Sequence, residues 1–335
     1  MNGARPDDTV GRVSQRTMIV VMRLTKKRNI QMNAVVAENI IKTYGKKKEV
    51  TALSDISFAV PQGELFGIIG PDGAGKTSLF RILTTLLLAD SGKAAVDGFD
   101  VVKDYKAIRK RVGYMPGKFS LYPDLSVEEN LNFFATIFNT SIAENYDLIK
   151  DIYVQIEPFK DRKAGKLSGG MKQKLALSCA LIHRPSVLFL DEPTTGVDAV
   201  SRKEFWEMLK GLKKQGITIL VSTPYMDEAG LCDRVALIQS GKILSINTPQ
   251  GIVENFSKPL WAVKSSRMLS LLNELLQKDF VEDVYPFGEY HHVVMKDSSG
   301  EPLLREFVRE HNNEKAVLQE AQPDIEDCFI ALMKN

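Results

Sequence analysis

One stretch constrains the fold of this chain more than any other: Gly70-Pro71-Asp72-Gly73-Ala74-Gly75-Lys76-Thr77-Ser78. An apolar run at residues 65–69 precedes it and an amphipathic one at 79–83 comes after, which reads as strand, loop, helix. Gly70 to Thr77 fits G-x-x-x-x-G-K-[ST], the pattern of a loop that wraps phosphate groups. Gly73 and Gly75 let the backbone turn tightly with its N–H groups facing inward. The helix starting near Lys76 directs its positive end to the same point. Lys76 supplies a charge for β- and γ-phosphates, and the Thr77 hydroxyl is placed to ligate Mg²⁺. A chance glycine turn would also satisfy the pattern. It would not explain the flanking strand and helix, nor the motifs further along the chain.

A chain of 335 residues has room for one large domain and a smaller one. A net charge of +2 argues against a surface adapted throughout to nucleic acid. No apolar run reaches about 18 residues, so the expectation is a chain that does not itself span a membrane. Cys179, Cys232 and Cys328 are scattered without metal-ligand or disulfide spacing. That suits a reducing cytosol and small buried apolar residues.

Residues 1–31 differ from the rest: Arg5, Arg12, Arg16, Arg23, Lys26, Lys27 and Arg28 stand against only Asp7 and Asp8. Three readings are open. The segment is an upstream extension with the working domain starting at Met32, a disordered basic tail touching acidic lipid headgroups, or a targeting peptide, which the aspartates count against. The first is favoured. Residues 35–40 and 56–60 alternate as strands do. Between them Tyr44, followed by Gly45 and Lys46-Lys47-Lys48, either stacks on an adenine ring or packs on its own sheet. Asp90-Ser91-Gly92 reads as a turn, 94–96 and 112–115 as short strands. From 119 to 163 the apolar spacing becomes helical (Val127, Leu131, Phe134, Ile137, Phe138), as in a helical subdomain inserted into an α/β core.

Leu167-Ser168-Gly169-Gly170-Met171 opens a helix reaching about residue 183, with Ser168 as N-cap. The glycine pair leaves its first amides uncovered, and such a helix start binds anions. Residues 187–190 are a wholly apolar run ending in Asp191-Glu192, the mark of a buried parallel strand. In a doubly wound sheet its C-terminal end lies beside the phosphate loop. Asp191 can then hold Mg²⁺ and Glu192 can polarise an attacking water. Residues 217–221 read as a last core strand, and 235–238 with 242–246 as a hairpin around Ser240-Gly241. Beyond 257 the expected order is strand 261–263, helix 268–277, strands 284–285 and 291–295, helix 303–311, strand 317–319 and helix 325–333 capped by Asp324. His291 and His292 are adjacent on a strand, face opposite sides and do not share a metal. This last unit shows no chemical constellation and reads as structural or regulatory.

Together these motifs resemble the nucleotide-binding subunits of ABC transporters. GPDGAGKT, LSGGMKQK, VLFLDEP and Gly196-Val197-Asp198 stand in that family's order within residues 33–250, and LSGGMKQK is close to diagnostic. The C-terminal unit, with Pro323-Asp324-Ile325-Glu326-Asp327-Cys328-Phe329, is similar to the appendage of ABC-2-type exporter ATPases. The resemblance implies an α/β fold of the P-loop NTPase type. An ABC-type nucleotide-binding domain would fill 32–252, with its helical subdomain at about 117–165. A small α+β C-terminal domain would fill 253–335. It also implies ATP and Mg²⁺ as cofactors, Thr77 and Asp191 holding the metal, Glu192 as catalytic carboxylate and Tyr44 at the adenine. In a head-to-tail pair, Leu167 to Met171 would face the γ-phosphate held by a partner, with Asp198 in the D-loop between the sites. The implied place is the cytoplasmic face of the membrane, peripheral, bound to an ABC-2-type permease.

Two departures from the family pattern bear on mechanism. A glutamine is expected where Gly117 stands, and a histidine where Pro224 stands. Each lost polar contact to a transition state costs about 2.7–4 kcal/mol. The expectation is an asymmetric pair. This chain's own site turns over slowly, and its intact LSGGM completes a competent site on a second ATPase subunit. A homodimer that hydrolyses normally is the competing view, which Glu192 keeps open. Other classes are an ABC ATPase acting on ribosomes or nucleic acid, and a binding-only regulatory subunit. Against the former, the chain holds one set of motifs and lacks sustained heptads and a basic, aromatic-interleaved patch, so no nucleic-acid partner is expected.

Overall fold

The structure, a computed structural model, describes residues 32–46, 49–118, 120–310 and 316–334. The basic N-terminal segment, Lys47, Lys48, Phe119 and His311 therefore lie outside the described residues. All elements from Asn33 onward belong to one unit. In chain order, β1 (Asn33–Tyr44) and β2 (Val50–Pro61) are followed by β3 (Leu65–Ile69), the glycine loop and α1 (Lys76–Leu83). Then come β4 (Ser91–Val96), β5 (Phe99–Asp100), α2 (Tyr105–Arg109) and β6 (Val112–Met115). The helices α3 (Val127–Ile137), α4 (Ile142–Tyr153) and α5 (Gly169–Leu181) lead to β7 (Val187–Asp191), α6 (Ala199–Lys214) and β8 (Thr218–Thr223). After these run β9 (Arg234–Gln239), β10 (Lys242–Asn247) and α7 (Pro249–Glu254). The remainder holds β11 (Leu260–Lys264), α8 (Met268–Leu275), β12 (Val281–Phe287), β13 (Tyr290–Met295), α9 (Glu301–Glu310), β14 (Val317–Glu320) and α10 (Ile325–Met333).

The central sheet has the order β10-β9-β3-β8-β7-β6 and is parallel except for β10. Every residue of β3, β7 and β8 is buried, as strands covered on both faces must be. One face, with Phe66 and Phe189, packs with Phe80 of α1 and on the antiparallel sheet β2-β1-β4-β5. The other, with Leu65, Leu188 and Ile219, packs on the helical layer of α3 to α6. Because the strands are parallel, the loops after β3, β6, β7 and β8 open along one edge. Those loops carry Gly70–Ser78, Gly117, Glu192 and Pro224. A third sheet, β12-β13-β11-β14, has its own core of Trp261, Val293 and Phe307 under α8 and α9. α10 belongs to two cores at once: Ile325, Cys328 and Phe329 pack with Ala229 and Ile252, and Ile330 with Tyr285 and Val294.

Three local expectations need correction. Ser91 and Gly92 are strand, not turn: Ser91 pairs with Ile41 across a register shift in β1. β1 and β2 run longer than their alternation, because Asn39 (φ 52°) and Asp55 (φ 60°) sit in left-handed backbone and break the period. β8 ends at Thr223, so Ser222 and Thr223 are core strand and only Pro224 opens the loop. The helical insert forms as expected, with Ser126 and Ser141 capping α3 and α4.

Candidate functional site

The glycine loop is shaped by what lies against it. A Cβ on Gly70 would stand 2.0 Å from the Ile238 carbonyl oxygen. Gly75, at φ +105°, precedes α1 without any side-chain cap, so the helix's first amides face the loop mouth. Lys76 is buried, and its ammonium donates to the Gly70 and Pro71 carbonyls at 2.8 and 3.0 Å. The same Nζ lies 3.1 Å from Glu192 Oε1. A lysine folded onto its own loop is a cation whose partners here are carbonyls and one carboxylate, all of which a phosphate can replace.

Asp191, 2 % exposed, accepts from the Ser222 hydroxyl at 2.6 Å. Glu192 adopts φ +50°, and its N–H reaches both the Ser222 carbonyl and hydroxyl at 3.0 Å. This bend turns its carboxylate to Lys76. Position 117 adjoins both acids: a Cβ there would be 3.0 Å from the Asp191 carbonyl oxygen and 3.7 Å from Glu192 Cβ. The Gly70 N–H donates to the Thr223 carbonyl at 3.2 Å, fixing the phosphate loop to the residue before Pro224. Tyr44, half exposed, has its hydroxyl 3.0 Å from Ser78 Oγ, which sets the ring beside α1. Thr77 and Asp191 offer a hydroxyl and a carboxylate, hard oxygen donors that fit Mg²⁺ completed by phosphates and water.

The LSGGM turn forms a second cluster. Leu167 is buried, Ser168 Oγ accepts from the Met171 N–H at 3.3 Å, and Gly169 and Gly170 lie against Gly196 and Ser201. Asp198 caps α6, accepting from the N–H groups of Ser201 and Val200 at 3.0 and 3.1 Å. The bonds from Ser201 hold its carboxyl below the usual range. Sequence spacing does not show that the LSGGM and GVD motifs touch within one chain.

Two further features escape the sequence. An apolar groove of about 400 Å³ separates the helical layer from β6, lined by Leu86, Met115, Leu121, Phe134, Ile137 and His183. At its edge Tyr122, 46 % exposed, meets Phe133 edge-on at 4.7 Å. In the third sheet, Asp327 is fully buried and accepts from Tyr285 Oη at 2.8 Å, pairs with His292 Nδ1 at 2.6 Å and accepts the Asp324 N–H at 2.9 Å. His291 turns the other way, to the Met268 carbonyl at 2.8 Å, as adjacency on a strand requires. Among the described residues no cluster of three or more His, Cys, Asp or Glu could hold a metal.

Comparison with known proteins gives consistent matches. The ABC transporter family pattern matches residues 53–195. The chain is 37 % identical over 305 residues to the probable multidrug ABC transporter ATP-binding protein YbhF of Escherichia coli, covering 90 % of this chain and 52 % of that protein. It thus spans about half that relative's length. It is 40 % identical over 220 residues to the Nod factor export ATP-binding protein I of Burkholderia lata, covering 65 % of this chain and 71 % of the other. Among solved structures, the dimeric ATP-binding cassette MJ0796 in a post-hydrolysis state, bound to ADP and phosphate, superposes with a TM-score of 0.58 at 25 % identity. That match covers 64 % of this chain and 98 % of the other.

Proposed function

This chain belongs to the ABC transporter family of ATP-binding proteins, and we propose that it binds and hydrolyses ATP to power a membrane exporter. The observation that carries this reading is the Lys76–Glu192 contact of 3.1 Å at the mouth of the glycine loop. ATP phosphates draw the Lys76 ammonium off Glu192 and the loop carbonyls. Glu192 is then free to accept a proton from an attacking water. The amides of the loop and α1 hold the phosphates, and Tyr44 flanks the base. Thr77 and Asp191 would hold Mg²⁺, which offsets phosphate charge. Dimer closure presents Ser168, Gly169 and Gly170 to a partner's γ-phosphate.

The exporter assignment draws support from relatives named for multidrug transport and Nod factor export. No helix of the described residues is long and apolar enough to cross a membrane. We assign the membrane pathway to a separate permease of ABC-2 type. An apolar helix of that permease fits the groove at Leu121 and Phe134, which would hold this chain to the cytoplasmic face. We divide the chain at residue 252, with the third sheet as an accessory domain.

The pair is asymmetric. Gly117 exposes only backbone beside Asp191 and Glu192, and Pro224 offers no donor. Co-purification from the native host tests both points: a polytopic membrane protein and two kinds of ATPase subunit are expected. A complex with one kind of ATPase would sink the asymmetric pair and leave a homodimer. Loss of ATP binding in Lys76→Ala, measured by equilibrium dialysis, tests the nucleotide site itself.

A further inference from the structure

Glu228, in the turn after β8, is a charged residue only 1 % exposed. Its Oε2 accepts from the Thr223 hydroxyl at 2.5 Å and the Thr194 hydroxyl at 3.1 Å. Arg202 Nε lies 3.2 Å from its Oε1. Arg202 also donates to Asp227 at 2.9 Å and stacks 4.6 Å above the Tyr225 ring. Oε1 makes no hydrogen bond, so the burial of this carboxylate is offset by the two hydroxyls on Oε2 and by the Arg202 charge.

The partners come from three different segments of the site: a loop, a strand end and a helix. Thr194 lies two residues past Glu192. Thr223 is the last residue of β8 and immediately precedes Pro224. Arg202 lies on α6 one turn past its cap, Asp198. On the far side, Ala229 packs in the same core as Ile325 and Phe329 of α10, so the turn bearing Glu228 is held from behind as well.

We propose that Glu228 and Arg202 are positioning residues: with Thr194 and Thr223 they join the Glu192 loop, the Pro224 loop and the helix behind Asp198 into one moving part. Pro224 gives its loop no side-chain hold on a nucleotide, so the loop's position is set from behind by Thr223 and Glu228. A partner closing on Asp198 shifts α6, and the shift reaches Glu192 through Arg202, Glu228 and Thr194 by direct contact. The role in catalysis rests on the reading of this chain as an ATP-hydrolysing subunit; the mechanical link does not.

The test uses the full chain, alone and assembled with its partners, in Glu228→Gln, Arg202→Met, the double variant, Thr194→Ser and Thr194→Val. In the nucleotide-free chain, amide exchange at residues 192–198 and 223–228 should quicken together, by about tenfold or more in either charge variant, with β3 unchanged. The double variant should be no worse than the worse single one, as for two ends of one interaction. Thr194→Ser, which keeps the hydroxyl, should retain protection that Thr194→Val loses. In an assembly whose second ATPase subunit has a disabled phosphate loop, so that only this chain's site reports, kcat should fall about 10- to 100-fold, the range of a lost bond to a charged group, while the Kd for ATP at that site stays within about threefold. Quickened exchange confined to 223–231, or additive single effects, would overturn the link. Coupled exchange with kcat unchanged at this chain's own site, in an assembly where only that site turns over, would overturn the positioning role. Coupled exchange in an assembly that never hydrolyses ATP, wild type included, upholds the link and rejects the hydrolysis reading instead.

Discussion

Restoring the two missing side chains should raise turnover at this chain's own site. The perturbation is Gly117→Gln with Pro224→His. At position 117 a side chain starts 3.7 Å from Glu192 Cβ, close enough for its amide to reach a water held by that carboxylate. One such contact to a transition state is worth about 2.7–4 kcal/mol. The 3.0 Å approach of the new Cβ to the Asp191 carbonyl oxygen requires the strand end to yield by a few tenths of an ångström. That adjustment takes back about 1 kcal/mol or more. The net gain is about 1–3 kcal/mol, or about 5- to 150-fold in kcat. The assay is ATP hydrolysis by an assembly whose second ATPase subunit has a disabled phosphate loop, so that only this chain's site reports. Glu192→Gln in the restored background must remove the gain. A rate unchanged within about threefold would refute the idea that Gly117 and Pro224 limit the site.

Other perturbations have equally definite outcomes. Gly75→Ala forces a Cβ to 2.3 Å from the Ala52 carbonyl oxygen at φ +105°, so ATP binding should be lost by equilibrium dialysis and the melting temperature lowered. Asp327→Ala leaves Tyr285 and His292 buried without their acceptor and should cost about 3 kcal/mol or more of stability by urea unfolding. Burial lowers the pKa of His183, stacked 3.8 Å from Phe138, below its ordinary 6.5. Its stabilising share is therefore full above pH 6.5 and lost as pH falls through the lowered value, since the folded groove resists the charged ring. Urea midpoints at pH 7.5 and 5.5 should show that loss in wild type and less of it in His183→Phe.

The parts of this protein written in contiguous residues are legible in its sequence. β3, the glycine loop and β7 with its two acids announce themselves because a buried parallel strand must be apolar throughout and its active end must not be. Alternation makes β1 and β2 too short, because left-handed residues at Asn39 and Asp55 let an antiparallel pair continue where the period stops. Ser91-Gly92 has turn composition yet lies in a strand, and only the partner, Ile41, decides. The pairing of Tyr285, His292 and Asp327 unites residues up to 42 apart, and nothing local marks them. Glu228 escapes for the opposite reason. Its neighbours Asp227 and Gly230 are not buried, and its burial depends on two hydroxyls, one of them Thr194, 34 residues away.

The most direct test of the central claim is steady-state ATP hydrolysis by the full chain alone and by the chain with its membrane and ATPase partners, each with Glu192→Gln as control. A nearly inactive chain, an active assembly, and an assembly rate that Glu192→Gln changes by less than about twofold are expected. Brisk hydrolysis by the chain alone, abolished by Glu192→Gln, would contradict that claim and make Gly117 and Pro224 tolerated residues of a working homodimer.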